Sequence, residues 1–254
     1  HLDILRGVLI RIIIVSLVCA AVAFVFKEQV FSFVLAPKSP DFITYRVIDS
    51  LCRYLGLPPI ESFDVQLINT GLAQQFIIHM KTALCVGVVC VSPYIIYELF
   101  AFIAPALYAD EKKHTLRMVV WGYIMFALGI FFNYYLIFPL TFHFLGTYQV
   151  DTEVINMINL DSYMSTLIVM SLCMGIVFEI PVLAWLFAKL GLVNASFLRK
   201  YRRHAIVAIL IVAAVITPTS DVFTLLIVSA PMYLLYELSI LLVNRVRREK
   251  NMSA

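Results

Sequence analysis

VLIRIIIVSLVCAAVAFVF, residues 8–26, carries a single charge, Arg11, close to its start. At a helical rise of 1.5 Å per residue the run is about 29 Å long, which matches the hydrocarbon core of a bilayer. Five more apolar stretches follow, at about 76–99, 118–139, 164–187, 204–216 and 222–243. Hydrophobic residues make up 62% of the 254 positions and charged residues 14%. A soluble domain is nearer half apolar and a quarter charged, so the excess points to lipid as the solvent. The expected fold is all-α: a polytopic membrane bundle of six transmembrane helices, with residues 1–254 forming one membrane domain. The first run is long and has no small-residue cleavage site, so it reads as a retained span rather than a signal peptide. Native residues are expected before His1.

The fifth stretch is short, and so is the sixth if it is ended before Tyr236 and Glu237. A tight turn, TPTSD (217–221), joins them and supports two short spans. The alternative by length is one buried re-entrant hairpin. Orientation follows the loop cations. Lys112, Lys113 and Arg117 lie between spans two and three, and Lys189, Arg199, Lys200, Arg202 and Arg203 between four and five. Arg245, Arg247, Arg248 and Lys250 follow span six, whereas the three–four loop offers only Asp151, Glu153 and Asp161. Both termini are therefore expected in the cytoplasm. The 27–73 loop carries Lys38, Arg46 and Arg53 on the other side, as long loops can. Within it APKSP (36–40) breaks helix, and VIDSLCRYLG (47–56) has the spacing of a short helix lying on the outer surface.

Ionisable residues inside spans are costly and are functional candidates by default. Glu179, in MGIVFEIP (174–181), is the clearest, because Pro181 removes a backbone donor beside it. It reads as a docking or proton-sensitive carboxylate, or else as glue between helices. Glu98 and Glu237 stand nearer span ends and remain open between the two readings. Lys81 and Arg11 read as snorkelling cations. Asp221 fits the N-cap of the sixth span. Four of the five cysteines sit in apolar runs and read as small packing residues. FAFIAPALYADEKK (100–113) is a rigid aromatic and proline-rich segment ending in charge. On composition Glu111 there is an ordinary acidic helix start, favoured by the helix dipole; an anionic clamp for a cationic partner is the second reading. There is no HExxH, GxSxG, P-loop or dinucleotide fingerprint, and no histidine or cysteine pair with metal-ligand spacing. No enzyme, metal or cofactor is expected.

Five segments in this order resemble the TatC family, the multi-spanning core subunit of the twin-arginine protein translocase. They are HLDILR (1–6), SPYIIYELFAFIAPALYADEKK (92–113), MGIVFEIP (174–181), RKYRRHAIVAILIVAAVITPTSD (199–221) and APMYLLYE (230–237). The resemblance implies six helices with both ends cytoplasmic, in the bacterial inner membrane. It implies binding of twin-arginine signal peptides on folded cargo, and work with the single-span subunits TatA and TatB and further TatC copies. Transport would be driven by the proton gradient, and no nucleic acid is involved. The family's recognition patch maps onto Phe102 and Glu111 with Lys113 nearby, beside an N-terminal segment holding Asp3 and Arg6. Glu179, Asp221 and Glu237 match its intramembrane or turn carboxylates, and Pro93 and Pro105 match positions that shape a helix end. One departure stands out. The family's usual HLxELRxRL reads HLDILRGVL here, with Ile4 at the glutamate position and Val8 at the second arginine. Asp3 stands about 100° around a helix from Ile4. A small-solute transporter would call for two matching halves with broken spans, and an intramembrane enzyme for a paired nucleophile and base. The sequence has neither mark.

Overall fold

The computed structural model describes residues 2–58, 65–103, 115–149, 151, 156–217 and 221–252; the side chains of residues 2–5, 102, 103, 115–117 and 247–252 lie outside that description. Eleven helices are described: α1 (Leu2–Val25), α2 (Lys27–Val34), α3 (Ile43–Tyr54), α4 (Gln74–Ile103), α5 (Thr115–Phe132), α6 (Phe138–Thr147), α7 (Leu160–Phe178), α8 (Ile180–Lys189), α9 (Ala195–Lys200), α10 (Arg202–Ile216) and α11 (Val222–Met252). Two dipeptides, β1 (Leu67–Ile68) and β2 (Ile158–Asn159), pair in parallel, Leu67 with Ile158 and Ile68 with Asn159. Contacts divide the chain into two compact units: His1–Ile13, Val91–Ile130 and Leu172–Ala254 form the first, and Ile14–Cys90 with Phe131–Ser171 the second.

Among the described residues, five stretches are long and apolar enough to cross a bilayer: Arg6–Val25, Gln74–Ala101, Met118–Thr147, Leu160–Lys189 and Val222–Val246. With α10 they make the six-span count. α10 is the short one: its 15 residues reach about 22 Å. The sixth is longer than its apolar core suggests. α11 continues past Glu237, whose carboxylate is paired as described below. The third span also outruns its expected end at Pro139. A proline interrupts a helix because it lacks an N–H and crowds the carbonyl four residues back. Here that carbonyl belongs to Tyr135, and residues Asn133–Ile137 widen into one π turn before α6 resumes. The freed Tyr135 carbonyl accepts the hydroxyl of Thr44. The hydroxyl of Tyr45 reaches the carbonyls of Pro139 at 3.0 Å and Pro37 at 3.1 Å. The break in the third span is thus the docking point for α3. Burial pushes the Tyr45 hydroxyl above its ordinary titration range, so this anchor stays protonated.

The short helix expected at 47–56 is present as α3, begun four residues earlier. It ends on Gly56 in the left-handed conformation, φ 68°. Gly56 N–H donates to Arg53 and Leu57 N–H to Cys52, the paired bonds of a Schellman stop. Gly191, φ 77°, ends α8 in the same way. α2 and the β1–β2 pair have no sequence signal strong enough to place them. Asn159 ties this region together. Its Oδ1 accepts from Gln74 Nε2 at 3.0 Å and Asp161 N at 2.8 Å, and its Nδ2 donates to Thr70 at 2.9 Å. Lys81, expected to snorkel, pairs with Asp161 at 2.9 Å.

Both units use glycine where helices approach closely. In the first unit, a Cβ on Gly129 of α5 would lie 2.5 Å from the Met174 carbonyl oxygen of α7. In the second, a Cβ on Gly87 of α4 would lie 2.7 Å from the Ser16 carbonyl oxygen of α1. Small residues at such crossings let backbones meet where lipid gives no hydrophobic drive for association. The cysteines are less buried than expected of packing residues: Cys90 is exposed, and Cys19, Cys52, Cys85 and Cys173 are half-buried.

Candidate functional site: carboxylates of the spans

Glu179 occupies the single residue between α7 and α8. Pro181 cannot donate to Val177, and the local bonding tightens: Glu179 N–H donates to Ile176 at 3.1 Å, while Leu183 N–H donates to Glu179 at 2.9 Å. The side chain enters an apolar layer of the first unit built from Ile96, Phe100, Met118, Val119, Phe126 and Leu186. Gly122 makes room for it there. A Cβ on Gly122 would lie 3.3 Å from Glu179 Oε2 and 3.1 Å from both Ile96 and Phe100. Glu179 Oε1 is buried and has no hydrogen-bond partner among the described residues. A buried carboxylate oxygen without a donor is expensive, which sets Glu179 apart from the paired carboxylates of the other spans.

Glu98 is held differently. Its side chain is 12% exposed, Tyr94 donates to its Oε1 at 2.6 Å, and Arg11 of α1 approaches the same oxygen at 3.8 Å. Sequence reading left Glu98 open and gave Arg11 to the headgroups; the structure pairs them. Glu237 Oε2 meets Arg202 at 2.6 Å, and Tyr233 donates to its Oε1 at 3.1 Å. Tyr236 on the next position donates to the Leu198 carbonyl at 2.7 Å. This contact was within reach of the sequence. Arg202 stands 15 residues before Thr217 and Glu237 stands 16 after Asp221, so a tight hairpin at 217–221 brings them level. Asp221 caps α11 as its residue type suggests, accepting from Thr224 N–H at 2.7 Å.

The proposed recognition patch is only partly described. Glu111, Lys113 and Pro105 lie outside the described residues. Phe102 stands in the last turn of α4, with its side chain outside the description. Asp3 lies in the first turn of α1, so the one-residue offset from Ile4 persists into regular helix. Arg6 is exposed on the same helix. Pro93 stands inside α4 rather than at its end; the helix runs on ten residues to Ile103.

The family model described as "Sec-independent protein translocase protein (TatC)" matches residues 1–231. The chain is 31% identical over 255 residues to the Sec-independent protein translocase protein TatC of Blattabacterium sp. subsp. Periplaneta americana, covering 98% of this chain and 96% of the relative. It is 34% identical to the TatC protein of Deinococcus radiodurans, covering 95% and 83%. Among solved structures, the twin arginine translocase receptor TatC superposes with a TM-score of 0.78 at 29% identity, over 97% of this chain and 99% of that one. These matches run through the spans, the 217–221 turn and the Glu179 break alike, and the chain belongs to the TatC family of Sec-independent protein translocase proteins.

Proposed function

We propose that this chain is the receptor subunit of a twin-arginine protein translocase. It binds the arginine pair of signal peptides on folded cargo, and it nucleates assembly with TatA and TatB in the bacterial inner membrane. Both termini face the cytoplasm, where the loop cations gather. The observation that carries the reading is the near end-to-end likeness to a solved twin-arginine translocase receptor. Glu111 and Phe102 form the centre of the peptide site, with Lys113, Arg6 and Asp3 at its border. Guanidinium meets a carboxylate through two parallel hydrogen bonds, which a lysine ammonium cannot reproduce. Glu111 therefore reads the arginines, and Phe102 offers an apolar contact beside them. Pro105 shapes the segment that presents both, and Pro93 lies further back inside α4. Glu179, whose Oε1 has no partner among the described residues and whose Oε2 lies by Gly122, receives a polar group from a single-span partner helix. Asp221 and Glu237 flank the partner helices on the last hairpin. Transport draws on the proton gradient and uses no nucleotide chemistry of this chain.

A photoreactive residue in place of Phe102, in membranes, tests the peptide site. Adducts should form with a twin-arginine peptide and fail with its twin-lysine variant, and Glu111→Ala should remove them while leaving the protein inserted. Equal adducts with both peptides would reduce the loop to a generic apolar surface. Glu179→Ala should lower partner-helix crosslinking several-fold and leave peptide adducts unchanged. Normal partner crosslinks and normal transport in that variant would make Glu179 structural glue.

A further inference from the structure

α3 presents three separate strips, at about 100° per residue. Thr44, Tyr45, Ile48 and Cys52 face inward, with Thr44 and Tyr45 bonded to the third span. Arg46, Asp49 and Arg53 share a polar strip, with Arg53 paired to Asp49. The remaining strip is apolar and uncovered: Ile43 is 52% exposed, Val47 61%, Leu51 55% and Tyr54 88%. Leu55 and Leu57, past the helix end, are also more than half exposed. A helix standing in water would not place four large apolar groups on one strip.

The depth of α3 is set by what it touches. Its anchors are the carbonyls of Tyr135 and Pro139. A hydrocarbon core takes about 20 helical residues. Counted from Met118, where the apolar window of the third span opens, that length ends at Ile137, between the two anchors. Aromatic rings crowd the same level. Phe42 stacks on Tyr135 at 5.7 Å, Phe131 stacks on Tyr135 at 5.5 Å, and Phe33 stacks on Tyr134 at 4.5 Å. Such belts mark the membrane–water boundary. The outward face of the span just below is itself apolar, with Phe131 and Leu136 exposed.

We propose that α3 is an interfacial helix that lies in the bilayer surface. Ile43, Val47, Leu51 and Tyr54 enter the acyl edge, and Arg46, Asp49 and Arg53 stay at the headgroup level. The partner is phospholipid. The polar strip carries two arginines against one aspartate, a net positive charge suited to lipid phosphate. An apolar strip flanked by cations at the boundary depth is the pattern of a helix lying in a membrane surface. The inference is independent of the signal-peptide reading and would survive its failure.

Nitroxide collision measurements decide it. Single cysteines at Val47, Leu51 and Asp49, in the full chain with the five native cysteines changed to serine, are labelled. The protein is reconstituted in vesicles of phosphatidylethanolamine and phosphatidylglycerol. All three positions lie off the inward-facing strip, and monodispersity in detergent checks each labelled chain. Labels at Val47→Cys and Leu51→Cys should collide several-fold more with oxygen, which partitions into acyl chains, than with a water-soluble nickel chelate. The Asp49→Cys label should show the reverse. Nickel access at 47 and 51 equal to that at 49 would put the strip in water and overturn the proposal. Shielding of 47 and 51 from both reagents would show a protein on the strip, a second copy or a partner helix, and would overturn it equally.

Discussion

Gly129→Ala should cost the protein about 3 kcal/mol of stability, at the upper end of what overpacking a tight core does. The added methyl would sit 2.5 Å from the Met174 carbonyl oxygen and 2.9 Å from the Gly175 Cα. Ordinary contact begins at 3.4 Å, so α5 and α7 would have to part by about 1 Å. Both obstructing groups are backbone, and neither can swing aside as a side-chain end would. The packing on either side depends on that approach, since the ring of Phe126 lies over Gly175. Thermal unfolding of the purified protein in mild detergent, followed by size-exclusion chromatography, reads the loss directly. Gly7→Ala is the matched control. Among the described residues nothing lies within 4 Å of its Cβ, so it should be neutral or gain up to about 1 kcal/mol from helix propensity. Equal melting of the two variants would mean that the α5–α7 crossing yields easily.

Glu237→Arg should open the last hairpin. The substitution sets two guanidinium groups where a carboxylate and a guanidinium now meet at 2.6 Å, and it removes the acceptor of Tyr233. Breaking a fully buried pair costs about 3–5 kcal/mol. This pair is partly exposed, at 46% and 29%, so about 2 kcal/mol is expected. The exchange Arg202→Glu with Glu237→Arg should recover at least half of it, because the sequence places the two residues level across the 217–221 turn. Recovery in the double variant separates the pair's own contribution from damage to α11. A double variant as unstable as Glu237→Arg alone would show that Tyr233 and the surrounding packing, not the charge pair, hold Glu237.

The spans were legible because each is a long apolar run, and lipid enforces that pattern on composition. What escaped depends on which helices meet. Gly129 is one glycine in the run WGYIMFALGIFF, and nothing local says that a carbonyl lies 2.5 Å away. Pro139 was read as an end because a proline usually is one. The third span passes it because a π turn and the hydroxyl of Thr44, 91 residues away, absorb the missing bond. The pairings of Arg11 with Glu98 and Lys81 with Asp161 join separate spans in the same way. The Arg202–Glu237 pair was the exception, since hairpin counting alone reaches it. Of the site residues, Glu179 was visible as a carboxylate in an apolar run beside a proline. The Gly122 space that receives it was not, because it belongs to another helix.

The anchoring of α3 also sets a timetable. Its Tyr45 hydroxyl waits for a carbonyl 94 residues further along the chain. At a synthesis rate of about 5–20 residues per second, that partner is made roughly 5–20 s after the helix itself. Through this interval the segment between the first two spans is complete in sequence but has no third span to dock on. Its final position becomes available only once the π turn has been inserted. A segment made early is therefore assembled late, and the newborn protein passes through a state in which its first inter-span loop is still loose while two of its spans are already in place.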